Sequence, residues 1–247
     1  MKLVVAQIKP FVGPIERNVN RHMALIDLAI DNGADLIVFP ELSLTGYEPT
    51  QAANLSRSID DQCFDPFAFA AETYGISISV GFPLMTDALP RISMRTVGPG
   101  SPPVVYSKRY LHPDEEPFFD CGPDAAPIIH DAPKIAIAIC FELSVPEHAN
   151  HAFELGATTY IASAAKTAAG VEAANQRLSH LAASRSAIVM LSNSRGWQDG
   201  SLCAGCSAAW GRKGNLLGQL DADTDGIVVV DDQTEEVKIR TLQSTGD

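Results

Sequence analysis

Three residues that could act together in catalysis each follow a short apolar run of the sequence. Cys140 follows residues 134–139, Glu41 follows residues 34–40, and Lys108 follows residues 104–107. A cysteine attacks a carbonyl or nitrile carbon as a thiolate, so a base must take its proton. A carboxylate in a partly dry pocket can be that base, while a fixed cation and a backbone N–H can stabilise the negative oxygen of the tetrahedral intermediate. These residue types predict a cysteine hydrolase, with Glu41 as general base and acid, and with Lys108 and the N–H of Phe141 in the oxyanion hole.

The apolar runs that precede these residues are typical of strands in an α/β protein. Helical patterns at 65–74, 146–155 and 172–185 alternate with them, and hairpin-like segments at 85–107 and 203–230 favour mixed rather than purely parallel sheets. Ligands of open α/β sheets bind at the carboxyl ends of the strands. We therefore expect the three residues to meet at one edge of a sheet.

Length and composition limit the classes of protein that this chain can represent. Its 247 residues suit one domain, which we place at residues 1–232, followed by a polar tail at 233–247. The net charge of −12 disfavours binding to nucleic acid or to an anionic membrane surface, because both attract Lys and Arg. No run reaches the ~18 apolar residues of a membrane span, and the amino terminus does not resemble a signal peptide. With an odd number of cysteines, five, the sequence predicts a cytoplasmic protein with reduced thiols.

Three ordered blocks of the sequence carry a resemblance to a known family. They read Val-Phe-Pro-Glu41-Leu-Ser-Leu-Thr-Gly-Tyr47, Tyr-Ser-Lys108-Arg-Tyr-Leu-His-Pro and Ile-Cys140-Phe-Glu-Leu-Ser-Val-Pro-Glu147. In order and spacing they resemble the signature blocks of the nitrilase superfamily, the carbon–nitrogen hydrolases, and further similarity extends over nearly the whole chain. The resemblance implies a four-layer α-β-β-α sandwich with two mixed sheets, homodimers or higher homo-oligomers, and no metal or organic cofactor.

The same family carries a second catalytic glutamate in the loop after the lysine, where it positions the substrate and assists the first glutamate. Glu115 and Glu116 compete for this role in the present sequence. The family spacing, in which an apolar residue and then a glycine follow the glutamate, fits Glu115, Phe119 and Gly122. The resemblance therefore favours Glu115.

Departures from the family pattern concern the substrate rather than the chemistry. Cys121 stands where the family usually has proline, and residues 141–144 read Phe-Glu-Leu-Ser instead of the commoner Tyr-Asp-x-Arg. Lys166 follows a strand that passes the pocket and could hold a substrate carboxylate, while Tyr47 and Phe141 are expected to contact the substrate. The resemblance predicts hydrolysis of a small linear amide with release of ammonia. The alternatives are an N-carbamoyl amino acid hydrolase, a nitrilase and, from a different class, a binding module with weak catalysis.

Other residue patterns offer competing chemistry with less support. Cys203-Ala-Gly-Cys206 is half of a common zinc site, but no second pair follows it, and packed thiols are the simpler interpretation. His148 and His151 lie three residues apart on a predicted helix, where they more simply form the flank of that helix. A Ser–His–Asp triad built around His112 would lack the Gly-x-Ser-x-Gly turn. We therefore expect no metal site.

Overall fold

The protein is a four-layer α-β-β-α sandwich. A computed structural model describes residues 1–242, and within this range two mixed sheets pack face to face, with helices on both outer surfaces. The fold class predicted from the sequence is therefore confirmed.

Strands supply the two inner layers. In chain order, the strands of residues 1–242 are β1 (Lys2–Gln7), β2 (Leu36–Val38), β3 (Ser77–Leu84), β4 (Arg91–Gly98), β5 (Ser101–Ser107), β6 (Ile128–Asp131), β7 (Lys134–Ile139), β8 (Thr159–Ala164), β9 (Ile188–Asn193), β10 (Arg195–Gln198), β11 (Ser201–Ala204), β12 (Ala208–Trp210), β13 (Leu216–Gln219), β14 (Gly226–Asp231) and β15 (Val237–Thr241). The first sheet has the order β15-β14-β1-β2-β3-β4-β5, and the second has the order β13-β12-β9-β8-β7-β6. β10 and β11 form a separate antiparallel hairpin.

Strand direction brings several carboxyl ends to the same edge of each sheet. β1, β2 and β3 are parallel, and β5 points the same way because both β3 and β5 are antiparallel to β4. In the second sheet, β7, β8 and β9 are parallel. The predicted hairpin around residues 211–214 is also present, but it joins β12 and β13, while β14 crosses to the first sheet.

Helices form the two outer layers. They are α1 (Ile15–Asp31), α2 (Ala52–Leu55), α3 (Asp65–Tyr74), α4 (Pro146–Glu154) and α5 (Ala168–Arg185). α1 and α3 pack on the first sheet, and α4 and α5 pack on the second. The three helices predicted from the sequence are confirmed, although the last begins earlier than residue 172. Among residues 1–242, none of the helices combines the length and apolar character that crossing a membrane requires.

The alternation of side chains along the strands builds the core. Val4 and Ala6 of β1 pack towards the helices, whereas Leu3 and Val5 face the second sheet. On β7, the isoleucines face the first sheet and the alanines face α4 and α5. Small side chains on the outer face of β7 fit a closely packed helix layer, and branched side chains between the sheets fill the wider central space.

Two buried serines connect the sheets at the edge where the carboxyl ends meet. Ser163 at the end of β8 donates a hydrogen bond of 2.8 Å to the carbonyl oxygen of Phe39. Ser192 of β9 lies 2.7 Å from the carbonyl oxygen of Ala6 and 3.0 Å from that of Val38. These contacts hold the ends of β8 and β9 against the ends of β1 and β2, so residues that follow the strands of both sheets face a common space.

The segment after Asp232 includes one more strand. β15 pairs antiparallel with β14 at the edge of the first sheet, within the stretch that the sequence indicated as a polar tail. Residues 243–247, the remainder of that stretch, lie outside the described residues.

Candidate active site

Glu41, Lys108 and Glu115 form a buried cluster of charged side chains. Nζ of Lys108 lies 2.7 Å from Oε1 of Glu41 and 2.7 Å from Oε1 of Glu115. The residue exposures are 1%, 0% and 1% for Glu41, Lys108 and Glu115. Because an unpaired buried charge is costly, Lys108 stabilises both carboxylates, and its positive charge offsets the repulsion between Glu41 and Glu115.

Glu41 is held by an unusual turn at the end of β2. The next residue, Leu42, has a positive φ of 51°, and the neighbouring strand β3 comes very close at Gly81. A Cβ atom on Gly81 would lie 2.5 Å from the carbonyl oxygen of Pro40 and 2.6 Å from the amide nitrogen of Leu42. Only glycine allows β3 to pass the turn this closely, and the turn directs Glu41 into the buried cluster.

Lys108 follows β5 and is fixed by backbone contacts on both sides. Its N–H donates to the carbonyl oxygen of Ile92 at 2.8 Å, and its own carbonyl oxygen accepts from the N–H of Gly122 at 2.6 Å. A Cβ atom on Gly122 would overlap the carbonyl group of Ser107. Gly122 therefore permits the return of the loop against the strand end that carries the lysine.

Glu115 is the member of the candidate pair that lies in the cluster. Its Oε1 accepts from the hydroxyl of Tyr47 at 3.0 Å as well as from Lys108, and its Oε2 accepts from the N–H of His112 at 2.8 Å. Glu116, by contrast, is exposed to solvent. Burial thus separates two adjacent residues of the same type.

Cys140 is the first residue after β7 and begins a 3₁₀ turn over Cys140–Ser144. Its φ is +44°, a left-handed conformation that a residue with a Cβ adopts only under strain, typically at functional sites. The side chain is partly exposed, and it lines a pocket of about 720 Å³. Four other candidate site residues, Tyr47, Glu115, Phe141 and Lys166, line the same pocket, whereas Glu41 and Lys108 lie behind its lining.

Burial and neighbouring charges set the proton affinities in this site. Burial raises the pKa of Glu41, although the charge of Lys108 opposes the shift. Burial and the charge of Glu41 raise the pKa of Cys140 to about 11, against the lowering effect of Lys166 and Lys108. Burial lowers the pKa of Lys108, but Glu41, Cys140 and Glu115 together outweigh it, so the net shift is upward. Near neutral pH the thiol is therefore protonated and the lysine is charged.

The backbone of Lys166 is held in place at the end of β8. Its N–H donates to Oδ1 of Asn193 at 2.7 Å, and its carbonyl oxygen accepts from Nδ2 of Asn193 at 3.1 Å and from the N–H of Ala204 at 2.9 Å. Its side-chain carbons pack beside Gly170, at 3.3–3.7 Å from the position of a Cβ there. Among the described residues, Lys166 forms no salt bridge.

The residues considered for metal binding do not come together in the structure. No group of three or more His, Cys, Asp or Glu side chains within residues 1–242 has a metal-binding arrangement. Cys203 of β11 is buried and lines the pocket as a free thiol, and Cys206 follows it as a second free thiol. His148 is buried in hydrogen bonds to two tyrosines rather than exposed on the flank of α4.

Sequence reasoning missed one buried carboxylate close to the pocket. Glu142 lies two residues after Cys140 and accepts hydrogen bonds from the N–H groups of Ile139 and Arg109. Ile139 has no polar side chain, so the Ser/Thr-x-x-Glu pattern of a capping box is absent, and no local signal marks this contact or the contact with Arg109.

A second large pocket lies at the opposite edge of the sheets. It has a volume of about 820 Å³, and its lining includes Met1, Asp35, Ser77 and Ser101, which stand at or next to the amino ends of first-sheet strands. None of the residues discussed above as candidates for catalysis lines it. The carboxyl edge is therefore the side on which a pocket coincides with the candidate catalytic residues.

Comparison with known proteins finds one family over nearly the whole chain. The sequence model described as "Carbon-nitrogen hydrolase" matches residues 2–238. Among solved structures, the amidase from Nesterenkonia sp. AN1, studied as a cysteine-to-alanine mutant in complex with butyramide, superposes with a TM-score of 0.85. Its identity is 22%, and the match covers 94% of this chain and 90% of that one, so the two share the fold.

Two curated relatives match about two thirds of the chain. Glutamine-dependent NAD(+) synthetase of Thermotoga maritima is 27% identical over 162 residues, which cover 63% of this chain and 28% of that protein. An (R)-stereoselective amidase of a Pseudomonas species is 24% identical over 162 residues, covering 65% of this chain and 59% of that protein. The match thus spans little more than a quarter of the NAD(+) synthetase.

Proposed function

Because this chain belongs to the carbon–nitrogen hydrolase family, we propose that it hydrolyses a small linear amide through a thioester at Cys140 and releases ammonia. The observation that carries the proposal is the buried cluster in which Lys108 bridges Glu41 and Glu115, next to a pocket lined by Cys140. Amide hydrolysis through a thioester requires a nucleophilic thiol, a base that takes its proton and a cation that stabilises the oxyanion, and Cys140, Glu41 and Lys108 are of these types.

In the acylation step, Glu41 takes the proton of Cys140 as the sulfur attacks the amide carbon. The raised pKa of the thiol, about 11, makes this transfer necessary at neutral pH. Oε2 of Glu41 is buried and has no hydrogen-bond partner among the described residues, so it is the oxygen available to receive the proton. Lys108 and the N–H of Phe141 stabilise the oxyanion, and Glu41 then protonates the leaving nitrogen, which departs as ammonia.

In the deacylation step, water replaces ammonia. Glu41 removes a proton from the water as its oxygen attacks the thioester carbon, Lys108 again stabilises the oxyanion, and the carboxylic acid leaves as the thiol recovers its proton. Glu115 holds Lys108 from the other side, and Tyr47 donates to the same carboxylate oxygen. This arrangement keeps the cation charged and aimed in both steps.

The proposal is tested by ammonia release from a panel of small amides, ω-amides, N-carbamoyl amino acids and nitriles. We expect Cys140→Ala to abolish activity on whichever class is hydrolysed, and Cys121→Ala to leave it unchanged, because Cys121 is exposed. Iodoacetamide should modify Cys140 with loss of activity. Equal activity of Cys140→Ala and the wild type would contradict the proposal. Absence of both ammonia release and a reactive Cys140 would support the binding-module alternative.

For the substrate class, we propose that Lys166 binds a carboxylate of the substrate. Lys166 lines the pocket together with Cys140, its charge lowers the pKa of that thiol, it forms no salt bridge with a described residue, and Asn193 holds its backbone on both sides. A fixed and unpaired cation favours an anionic ligand. The name of the Thermotoga maritima relative states dependence on glutamine, an ω-amide that carries a carboxylate. N-carbamoyl amino acids carry one as well and are the second candidate.

The variant Lys166→Met tests whether the enzyme recognises the carboxylate of its substrate. The variant keeps the length of the side chain and removes its charge, so KM for a carboxylate-bearing amide should rise by about 10- to 100-fold, while KM for a neutral amide of the same length stays within about twofold. The matched control is Lys213→Met, since Lys213 is exposed and distant from the pocket lining. Equal changes in KM for both amides would contradict the carboxylate assignment.

The homodimer and the cytoplasmic location expected from the sequence are further proposals. The mass of the purified protein in solution, measured by light scattering, would test the first, and cell fractionation would test the second.

A further inference from the structure

Glu142 accepts hydrogen bonds from two peptide groups that flank the proposed catalytic residues. Its Oε2 lies 2.8 Å from the N–H of Ile139, the residue before Cys140. Its Oε1 lies 2.7 Å from the N–H of Arg109, the residue after Lys108. One buried carboxylate therefore joins the segment that carries the thiol to the segment that carries the cation.

Side chains from three other elements hold this carboxylate in position. Oε1 of Glu142 also accepts from the hydroxyl of Tyr106 on β5 at 2.8 Å. Nε2 of His148 on α4 lies 3.1 Å from that hydroxyl, and Nδ1 of His148 lies 2.8 Å from the hydroxyl of Tyr160 on β8. All four side chains are buried, with residue exposures of 0–4%.

The direction of the hydrogen bonds in this chain can be assigned from its acceptors. The hydroxyl hydrogen of Tyr106 goes to the carboxylate, so Nε2 of His148 donates to the Tyr106 oxygen, and Nδ1 then accepts from the hydroxyl of Tyr160. Burial lowers the pKa of His148 to about 4, which leaves the ring neutral and consistent with this assignment. In this orientation each group in the chain has a partner, Nε2 of His148 also lies 3.4 Å from Oε2 of Glu142, and such a network restrains the carboxylate at its end.

We propose that Glu142 is a positioning residue that sets the distance between the thiol of Cys140 and the ammonium group of Lys108. The proposal rests on the function proposed above, because it assigns those two groups to the nucleophile and the oxyanion hole. Glu142 does not line the pocket, so it acts through the peptides that it holds.

Loss of this positioning should lower the stability of the transition state, and hence kcat, more than it changes substrate affinity. The pocket side chains of Tyr47 and Lys166 stand on other segments, so we expect the rate to depend on Glu142 more than substrate affinity does. The oxyanion, in contrast, needs the attacked carbon and the cation at a fixed separation. A misplacement of about 1 Å at a reacting centre costs on the order of a hundredfold in rate.

Glu142→Gln tests the proposal with little change in side-chain volume. A glutamine has one acceptor oxygen, so it cannot serve both Ile139 and Arg109, and its NH₂ group must face one of these N–H donors. We expect kcat to fall by about 10- to 100-fold with KM within about threefold, and alkylation of Cys140 by iodoacetamide to slow by about tenfold. Glu147→Gln is the matched control, because Glu147 is an exposed glutamate on the following helix, and it should match the wild type in all three quantities.

A second variant covers the case in which Glu142→Gln fails to fold. Tyr106→Phe removes one donor to Glu142 but leaves both backbone hydrogen bonds, so a folded protein with kcat lowered by about three- to tenfold and an unchanged KM is expected. A kcat equal to the wild type in both folded variants would overturn the proposal, as would a parallel rise in KM. If only Tyr106→Phe folds, a lowered kcat of this variant supports the proposal and a kcat equal to that of the wild type overturns it.

Failure of the positioning role is distinguishable from failure of the proposed function. If wild type hydrolyses no amide of the panel, the function fails, but the alkylation rate of Cys140 still reports how the thiol is held. Slower alkylation in Glu142→Gln than in Glu147→Gln would then support the positioning role. Equal alkylation rates would overturn it.

Discussion

At the scale of single residues, burial determines the protonation state of the candidate nucleophile in the absence of substrate. The pKa of Cys140 is raised to about 11, so the thiol keeps its proton at neutral pH. Part of this shift comes from the negative charge of Glu41, the residue that we propose as its base. The negative charge of Glu41 thus helps to keep the Cys140 thiol protonated before substrate arrives. We therefore expect the proton to move to Glu41 only as the sulfur attacks the substrate.

Replacement of Glu41 by glutamine should separate thiol acidity from catalysis. Without the charge of Glu41, the pKa of Cys140 should fall, so alkylation by a neutral reagent near pH 8 should be as fast as in the wild type or faster. Amide hydrolysis should nevertheless fall by about 10²- to 10⁴-fold, because the general base is lost. The pH dependence of alkylation and the rate of ammonia release measure the two effects.

Glu16→Gln is the control for this comparison, since Glu16 is an exposed carboxylate on α1. A rise in the thiol pKa of Glu41→Gln, or full hydrolytic activity in that variant, would contradict the assigned role.

At the scale of elements, the site depends on strand ends that approach each other more closely than ordinary side chains allow. Leu42, in the turn after β2, and Cys140, directly after β7, both have positive φ angles, which cost of order 1–3 kcal/mol each. Gly81 and Gly122 provide the space in which the neighbouring chain passes the Glu41 and Lys108 turns. The surrounding strand pairing stabilises these conformations, which would not persist in an isolated segment.

Gly122→Ala should lower kcat strongly while the protein stays folded. The new Cβ would overlap the carbonyl group of Ser107, so the peptide that carries Lys108 must move, and kcat should fall by about tenfold or more. Ammonia release and the denaturant midpoint of the variant measure the two effects.

Gly100→Ala serves as a comparison, because a Cβ there meets nothing within 4 Å and the substitution pays only for a positive φ of 62°. It should lose about 1–2 kcal/mol of stability and keep its activity. If Gly122→Ala retained full activity, the close approach would not be needed to position Lys108.

At the scale of the whole molecule, buried polar side chains connect layers that apolar packing alone would leave free to slide. Ser163 and Ser192 join the two sheets, and His22 of α1 connects the helix layer to the loop after Glu41. Nε2 of His22 lies 2.9 Å from the hydroxyl of Ser43, and its Nδ1 lies 2.7 Å from the carbonyl oxygen of Asn18. The position of the edge that carries the candidate site therefore depends on contacts across three layers.

The pH dependence of the unfolding free energy should reveal the contribution of the buried His22. Burial lowers the pKa of His22 from 6.5 to about 4, so the unfolded chain binds the proton first as the pH falls. The stability from the neutral ring is complete above pH ~6.5 and is lost as the pH falls towards about 4. Between pH 7.5 and pH 5, this amounts to about 2 kcal/mol of unfolding free energy.

Denaturant unfolding at these two pH values, for wild type, His22→Gln and His180→Gln, measures the effect. His180 is exposed, so that variant should show the same loss as the wild type, while His22→Gln should show a loss smaller by about 2 kcal/mol. The same loss in all three proteins would contradict the assignment to His22.

The sequence by itself determined the fold class and the positions of Glu41, Lys108 and Cys140 at strand ends. These inferences were possible because strand and helix periodicities are local, and because parallel strands of an α/β sheet present their carboxyl ends at one edge. The family blocks supplied the order of the layers. The contact between Glu41 and Lys108 follows from the topology, which the short connections of the fold leave little freedom to vary.

Only the tertiary structure decided which of two adjacent glutamates enters the cluster and which peptide groups Glu142 contacts. Glu115 and Glu116 are chemically alike, and they differ in burial against Lys108 because the loop folds back at Gly122. Glu142 contacts Tyr106 and Arg109, which lie 36 and 33 residues away in the chain. Contacts at such separations arise from the packing of β5 beside the turn after β7, and no local pattern encodes them.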